Sequence, residues 1–172
     1  MKTVFVVLFS VAFAFATAVR AETTVKLSNV HLCCKGCCSG VEKAAAAVEG
    51  AKIACDKEAG TVSVTASSTE VVQKAVDAIV AGGFFGQSSD PAVKVNSVSG
   101  APDGKVTSAT VSGLHLCCAK CAKAANGAAL SVPGVQASTA EKGAESFAVT
   151  GDFSAKDLAA ALEKAGLSGK IK

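Results

Sequence analysis

The chain has 172 residues, half of them apolar, with 17 basic against 14 acidic side chains and neither Trp nor Tyr. Without Lys2 and Arg20, which lie in a leading segment, 15 basic residues face 14 acidic ones, and a net of +1 gives no reason to expect a nucleic acid or any charged polymer as partner. With few aromatic residues the cores must be built from Val, Leu, Ile and Ala, which predicts thin cores and modest stability.

Residues 1–21 read as a secretory signal peptide. Lys2 precedes an apolar run from Val4 to Val19, and Val19-Arg20-Ala21 supplies a small-residue end before Glu22. The run is too short and wrongly flanked for a good membrane span, and no later stretch reaches spanning length. The expectation is an exported chain, periplasmic or extracellular, with no transmembrane anchor once the signal is removed.

From Thr23 to Leu32 the apolar residues Val25, Leu27, Val30 and Leu32 alternate with polar ones, which predicts a strand ending at a cluster of cysteines. Helical composition begins at Ser39, with Val41, Ala44, Ala45 and Val48 on one face and Gly50 as the stop. Ala51–Asp56 and Thr61–Ala66 flank the turn-like Lys57-Glu58-Ala59-Gly60 and predict a hairpin. Ser68 is the N-cap candidate of a second helix whose face is Val72, Ala75, Val76, Ile79 and Val80, ended by Gly82-Gly83. Ala92 to Val98 supplies a last strand, and residues 97–104 form a linker.

The same order then repeats over residues 105–172: a strand from Lys105 to Leu116, a helix from Ala122 to Val132, a hairpin across Lys142-Gly143, a helix from Ser154 to Ala165, and a short or frayed strand within Ser168–Lys172. The predicted organisation is a domain over 22–96, the linker, and a second domain over 105–172. Strand, helix, strand, strand, helix, strand is the split βαβ order, so the fold class is α+β, with two tandem ferredoxin-like βαββαβ domains.

The repeat is plainest at the cysteines. His31-Leu32-Cys33-Cys34-Lys35-Gly36-Cys37 returns as His115-Leu116-Cys117-Cys118-Ala119-Lys120-Cys121, 84 residues later. A C-x-x-C at a strand-to-helix junction lets two sulfurs face one another. The helix N-terminus favours their thiolate forms, and Lys35 and Lys120 are expected to lower the thiol pKa values further. Soft anionic sulfur selects soft ions, Cu(I) ahead of Zn(II) or Hg(II).

These residues resemble the heavy-metal-associated domain family, which includes copper chaperones, the periplasmic mercury-binding protein and the N-terminal modules of metal-exporting ATPases. The family motif Gly-Met-x-Cys-x-x-Cys falls on His31 to Cys37 and on His115 to Cys121. The resemblance extends to Val-x-Gly after the first helix and to the Gly-aromatic ending of the second, where Phe84 stands near the metal loop and Gly166-Leu167 is the nearest match in the second copy. It implies Cys34, Cys37, Cys118 and Cys121 as metal ligands, one ion per domain, and a metal-transport or recipient protein as partner. The chain departs from the motif in three ways: Leu32 and Leu116 replace Met, His31 and His115 replace Gly, and Cys33 and Cys117 add a third thiol beside each pair.

Cys33, Cys38 and Cys117 either complete a three- or four-thiolate site or stand as reactive spares. If Cys38 is a ligand, the first domain should bind slightly more tightly, because Ala122 holds the fourth place in the second cluster. Strand alternation places His31 and His115 opposite Leu32 and Leu116, solvent-facing, with an imidazole ligand role as the alternative. Cys55, matched by Thr139 in the second copy, reads as a buried structural thiol. The function expected is an exported metal carrier, buffer or sensor module. It is not read as an enzyme, since two histidines and scattered carboxylates form no acid–base constellation. A thiol–disulfide redox protein and a disulfide-stapled interaction module are the competing readings.

Overall fold

The computed structural model describes residues 21–172, so the expected signal peptide lies outside the described residues apart from Ala21. The first half runs β1 (Thr23–Ser28), α1 (Lys35–Ala45), β2 (Lys52–Asp56), β3 (Thr61–Ala66), α2 (Thr69–Ala81) and β4 (Gln87–Ser88). The second runs β5 (Lys105–Ser112), α3 (Ala119–Leu130), β6 (Val135–Ser138), β7 (Ser146–Ser154), α4 (Ala155–Lys164) and β8 (Lys170–Ile171). Among the described residues the result is a mixed α/β structure with four helices and two four-stranded antiparallel sheets, ordered β2-β3-β1-β4 and β6-β7-β5-β8. Among the described residues no helix is long and apolar enough to cross a membrane.

Each sheet buries one face, as period-two alternation requires. Val25 pairs with Val64 and Leu27 with Val62, all four are buried, and Thr24 and Lys26, which alternate with them on β1, face outward. Against this face α2 lays Val72, Ala75, Val76, Ile79 and Val80, its start fixed by the Ser68 hydroxyl, which accepts from the Val71 amide. In the second half Ser154 caps α4 in the same way by accepting from the Asp157 amide. Leu158 and Leu162 then pack with Phe147, Val149 and Phe153 in that half's core.

The starts of two helices differ from expectation, for identifiable reasons. α1 and α3 begin at Lys35 and Ala119 rather than at Ser39 and Ala122. Cys34 and Cys118 are the N-caps in extended backbone, and the Cys37 amide already bonds to the Cys34 carbonyl at 3.1 Å. The C-x-x-C segments are therefore first helical turns. In the first, Gly36 and the cysteines are weak helix formers, which hid this in the sequence; in the second, Ala119 and Lys120 favour the helix.

Residues 92–98 form no strand. β4 lies earlier, at Gln87–Ser88, and Pro91, which has no amide to donate, ends any continuation. The segment runs beside α2 instead. Gln73 replaces a ladder partner there, its carboxamide accepting from the Lys94 amide and donating to the Lys94 carbonyl, both at 2.7 Å.

The halves join backbone to backbone where α2 and α4 end. Phe85 N–H donates to the Gly166 carbonyl at 3.1 Å, and Ser168 N–H donates to the Gly83 carbonyl at 3.0 Å. Between these bonds Phe84 bridges to Leu167, each 1% exposed. Gly83 has φ +95°, and a Cβ built on it would sit 2.5 Å from the His115 amide nitrogen. Gly166 has φ +78°, and a Cβ there would strike the His31 amide nitrogen. Only glycine fits these two positions, and the reciprocal pattern relates the halves by a local two-fold.

Candidate metal centre

The two-fold brings the cysteine loops face to face. Each sheet's central strand, β1 or β5, delivers its chain to a loop that ends in an N-cap cysteine, with a buried cysteine one turn into the helix and a third just before the cap. Leu32 and Leu116 are buried at 6% and 5% exposure and anchor the loops from beneath.

Six sulfurs converge there. Across the join, Cys33 Sγ lies 3.3 Å from Cys118 and 3.4 Å from Cys121, while Cys34 and Cys37 lie 3.6 and 3.7 Å from Cys117. Cys37 and Cys121 meet at 3.8 Å. Within the first loop Cys37 is 3.7 Å from Cys33 and 3.8 Å from Cys34, and within the second Cys121 is 3.7 Å from both Cys117 and Cys118.

Six thiols at this spacing cannot all ionise together, and their environments divide them. Burial pushes Cys33 and Cys117 up to about 12, with hydrogen bonding to neighbouring sulfurs adding to it. Burial also raises Cys121, and negative charge at Cys37 adds to that. At Cys37 burial acts in the same sense, but hydrogen bonds from the backbone of Cys34 and Cys33 outweigh it and bring the thiol down. The Cys121 backbone N–H and the Cys33 thiol pull Cys118 down to about 6. The expectation that the helix N-terminus and the lysine lower the paired thiols is thus corrected for Cys121, where desolvation wins.

The structure brings Cys34, Cys37, Cys118 and Cys121 together as one group rather than as two separate pairs, and Cys33 and Cys117 belong to it. Cys38 does not. It is disulfide-bonded to Cys55, which removes both from the thiol inventory and corrects the readings of Cys38 as a further ligand or reactive spare and of Cys55 as a buried structural thiol. One step past Cys37 on a helix turns a side chain by about 100°, which carries Cys38 to β2 instead of to the cluster.

The histidines are not solvent-facing. Each is half-buried, with an Nε2 that has no hydrogen-bond partner, and burial lowers the pKa of both. A ring nitrogen of His31 lies within 4.8 Å of the Cys33 and Cys121 sulfurs, which themselves lie together. The His115 ring packs on Phe84 with centroids 4.8 Å apart and closes over Gly40 of α1. Alternation failed here because β1 and β5 end at Ser28 and Ser112, before either histidine is reached.

A thiolate site must match metal–sulfur bond lengths. With bonds of about 2.3 Å, three sulfurs around one ion stand about 4.0 Å apart and two in line about 4.6 Å apart. The separations of 3.3–3.8 Å fit three-sulfur coordination after slight expansion. The donors are all soft, and the site draws on both halves of the chain.

No family model and no curated protein matches this chain. Two solved structures are similar to it. The N-terminal soluble domains of Bacillus subtilis CopA, determined in solution, are 17% identical with a TM-score of 0.32, covering 90% of this chain and 96% of that one. The water-soluble region of the P-type ATPase CopA from Bacillus subtilis is 17% identical with a TM-score of 0.29, covering 90% and 93%. Likeness at this level assigns no individual residue, and the site is defined by its own atoms.

Proposed function

We propose that this chain is an exported binding protein for soft metal ions, a carrier or buffer built from two tandem ferredoxin-like domains of the heavy-metal-associated type, and not an enzyme. The observation that carries the reading is the convergence of six free thiols from both halves at 3.3–3.8 Å. Cu(I) is the preferred ion, because an all-sulfur donor set with three-sulfur spacing suits it, whereas Zn(II) seeks a fourth ligand and Hg(II) competes for the same sulfurs. The Cys38–Cys55 disulfide supports an oxidising compartment, periplasmic or extracellular. Ion occupancy keeps the remaining thiols from oxidising there, and a metal-transport or recipient protein would take up the cargo.

Anaerobic titration of the reduced protein with Cu(I) against a competing chelator tests this. Tight binding is expected, and Cys34→Ser, Cys37→Ser, Cys118→Ser and Cys121→Ser combined should abolish it. Unchanged affinity in that variant would contradict the assignment.

A further inference from the structure

We propose that the six thiols hold one cluster of four Cu(I) ions shared between the two halves, an inference that rests on the soft-metal reading above. The argument is geometric. Besides the nine sulfur separations of 3.3–3.8 Å, the pairs Cys33–Cys34, Cys34–Cys118 and Cys117–Cys118 each lie within 4.8 Å. Every sulfur thus has four close neighbours, which assigns the three remaining pairs, Cys33 with Cys117, Cys34 with Cys121, and Cys37 with Cys118, to opposed positions. Six points related in this way are the vertices of an octahedron.

Four alternate faces of that octahedron use each vertex twice. They are Cys33-Cys34-Cys118, Cys34-Cys37-Cys117, Cys117-Cys118-Cys121 and Cys33-Cys37-Cys121, the first three of which are close-set donor triangles and the last of which has edges of 3.4–3.8 Å. An ion on each face has three sulfurs, and each sulfur bridges two ions. Three of the four faces draw on both halves, so neither half holds the cluster alone. The remaining four faces form the equivalent set, which the two-fold exchanges with the first.

The chemistry balances without a redox partner. Each ion forms three copper–sulfur bonds, and every thiol still protonated loses its S–H proton to solvent, so that six thiolates result while copper stays monovalent and sulfur stays reduced. Four monovalent ions and six thiolates leave two negative charges on the cluster. The N-termini of α1 and α3 converge on the site, and Lys35 and Lys120 lie in their first turns. Both stabilise an anion there. Four divalent ions would leave two positive charges against the same helix ends and would lack fourth ligands.

The test is native mass spectrometry of the full chain loaded anaerobically with Cu(I), alongside Cys33→Ser plus Cys117→Ser. That double variant keeps both C-x-x-C pairs but removes two opposed vertices, and every face of an octahedron contains one of any opposed pair. The wild type should show metal-free and four-copper species with little between them, and the variant should hold no more than two ions. Wild-type saturation at one or two ions, or four ions in the variant, would overturn the cluster while leaving soft-metal binding intact. No copper in the wild type would overturn both. Wild-type stoichiometry decides the matter even where the variant fails to fold.

Discussion

The two halves carry the same thiol loop in different surroundings. In the first half Cys38 and Cys55 are bonded to each other, tying the first turn of α1 to β2. In the second the matching positions are Ala122, packed at 7% exposure, and Thr139, whose hydroxyl accepts from the Ala148 amide at 3.0 Å. The surplus sulfurs of one half are consumed in a staple, and each half contributes three thiols to the centre. Cysteine number is therefore not ligand number, and the first half gains rigidity rather than affinity.

Breaking the staple is the largest expected perturbation. Cys38→Ala with Cys55→Ala opens a loop spanning 17 residues, which should cost about 3 kcal/mol in urea unfolding followed by circular dichroism. Copper capacity should stay at its wild-type value. A loss of capacity would return these sulfurs to the ligand set and undo the comparison.

The join between the halves comes next. Gly166→Ala places a methyl group against the backbone of Asn29 and His31 at φ +78° and should cost about 1–3 kcal/mol, with weaker copper binding as the loops part. Gly50→Ala, at φ +80° with nothing within 4 Å, should cost only about 1 kcal/mol of backbone strain and leave copper binding alone. Equal effects on copper in the two variants would show that the join does not position the thiols.

The smallest effect sharpens the contrast between the thiols at the helix N-caps and those just before them. In the metal-free protein Cys118, lowered to about 6, is largely thiolate at neutral pH and should be alkylated first by iodoacetamide, its rate falling as pH drops through about 6. Cys33 and Cys117, raised to about 12, stay protonated and should react slowly at that pH. Peptide mapping after timed quenching reads the order, and uniform rates at all six thiols would contradict the division by burial.

The sequence makes the duplicated order of strands and helices legible, because Val25, Leu27, Val62 and Val64 alternate cleanly and Ser68 and Ser154 mark helix starts. It also makes the three-thiol loop visible in each copy. It does not make the meeting of the loops visible. That depends on Gly83 and Gly166 allowing two backbones to touch, a long-range approach with no periodic signature; the only hint was glycine beside an apolar residue at the same place in both copies. The composition of residues 92–98 is β-like, but Pro91 interrupts the edge and Gln73 captures the segment through its side chain. The Cys38–Cys55 bond was within reach from the helix angle, since a residue turned away from the cluster must face something else.

The central claim, one thiolate centre shared by both halves, is tested most directly by copper K-edge X-ray absorption on the full chain loaded anaerobically with Cu(I). The account predicts about three sulfurs around each copper, with a second copper as near neighbour. Two sulfurs per copper and no copper–copper scattering would mean that each C-x-x-C pair binds its own ion, and would contradict it.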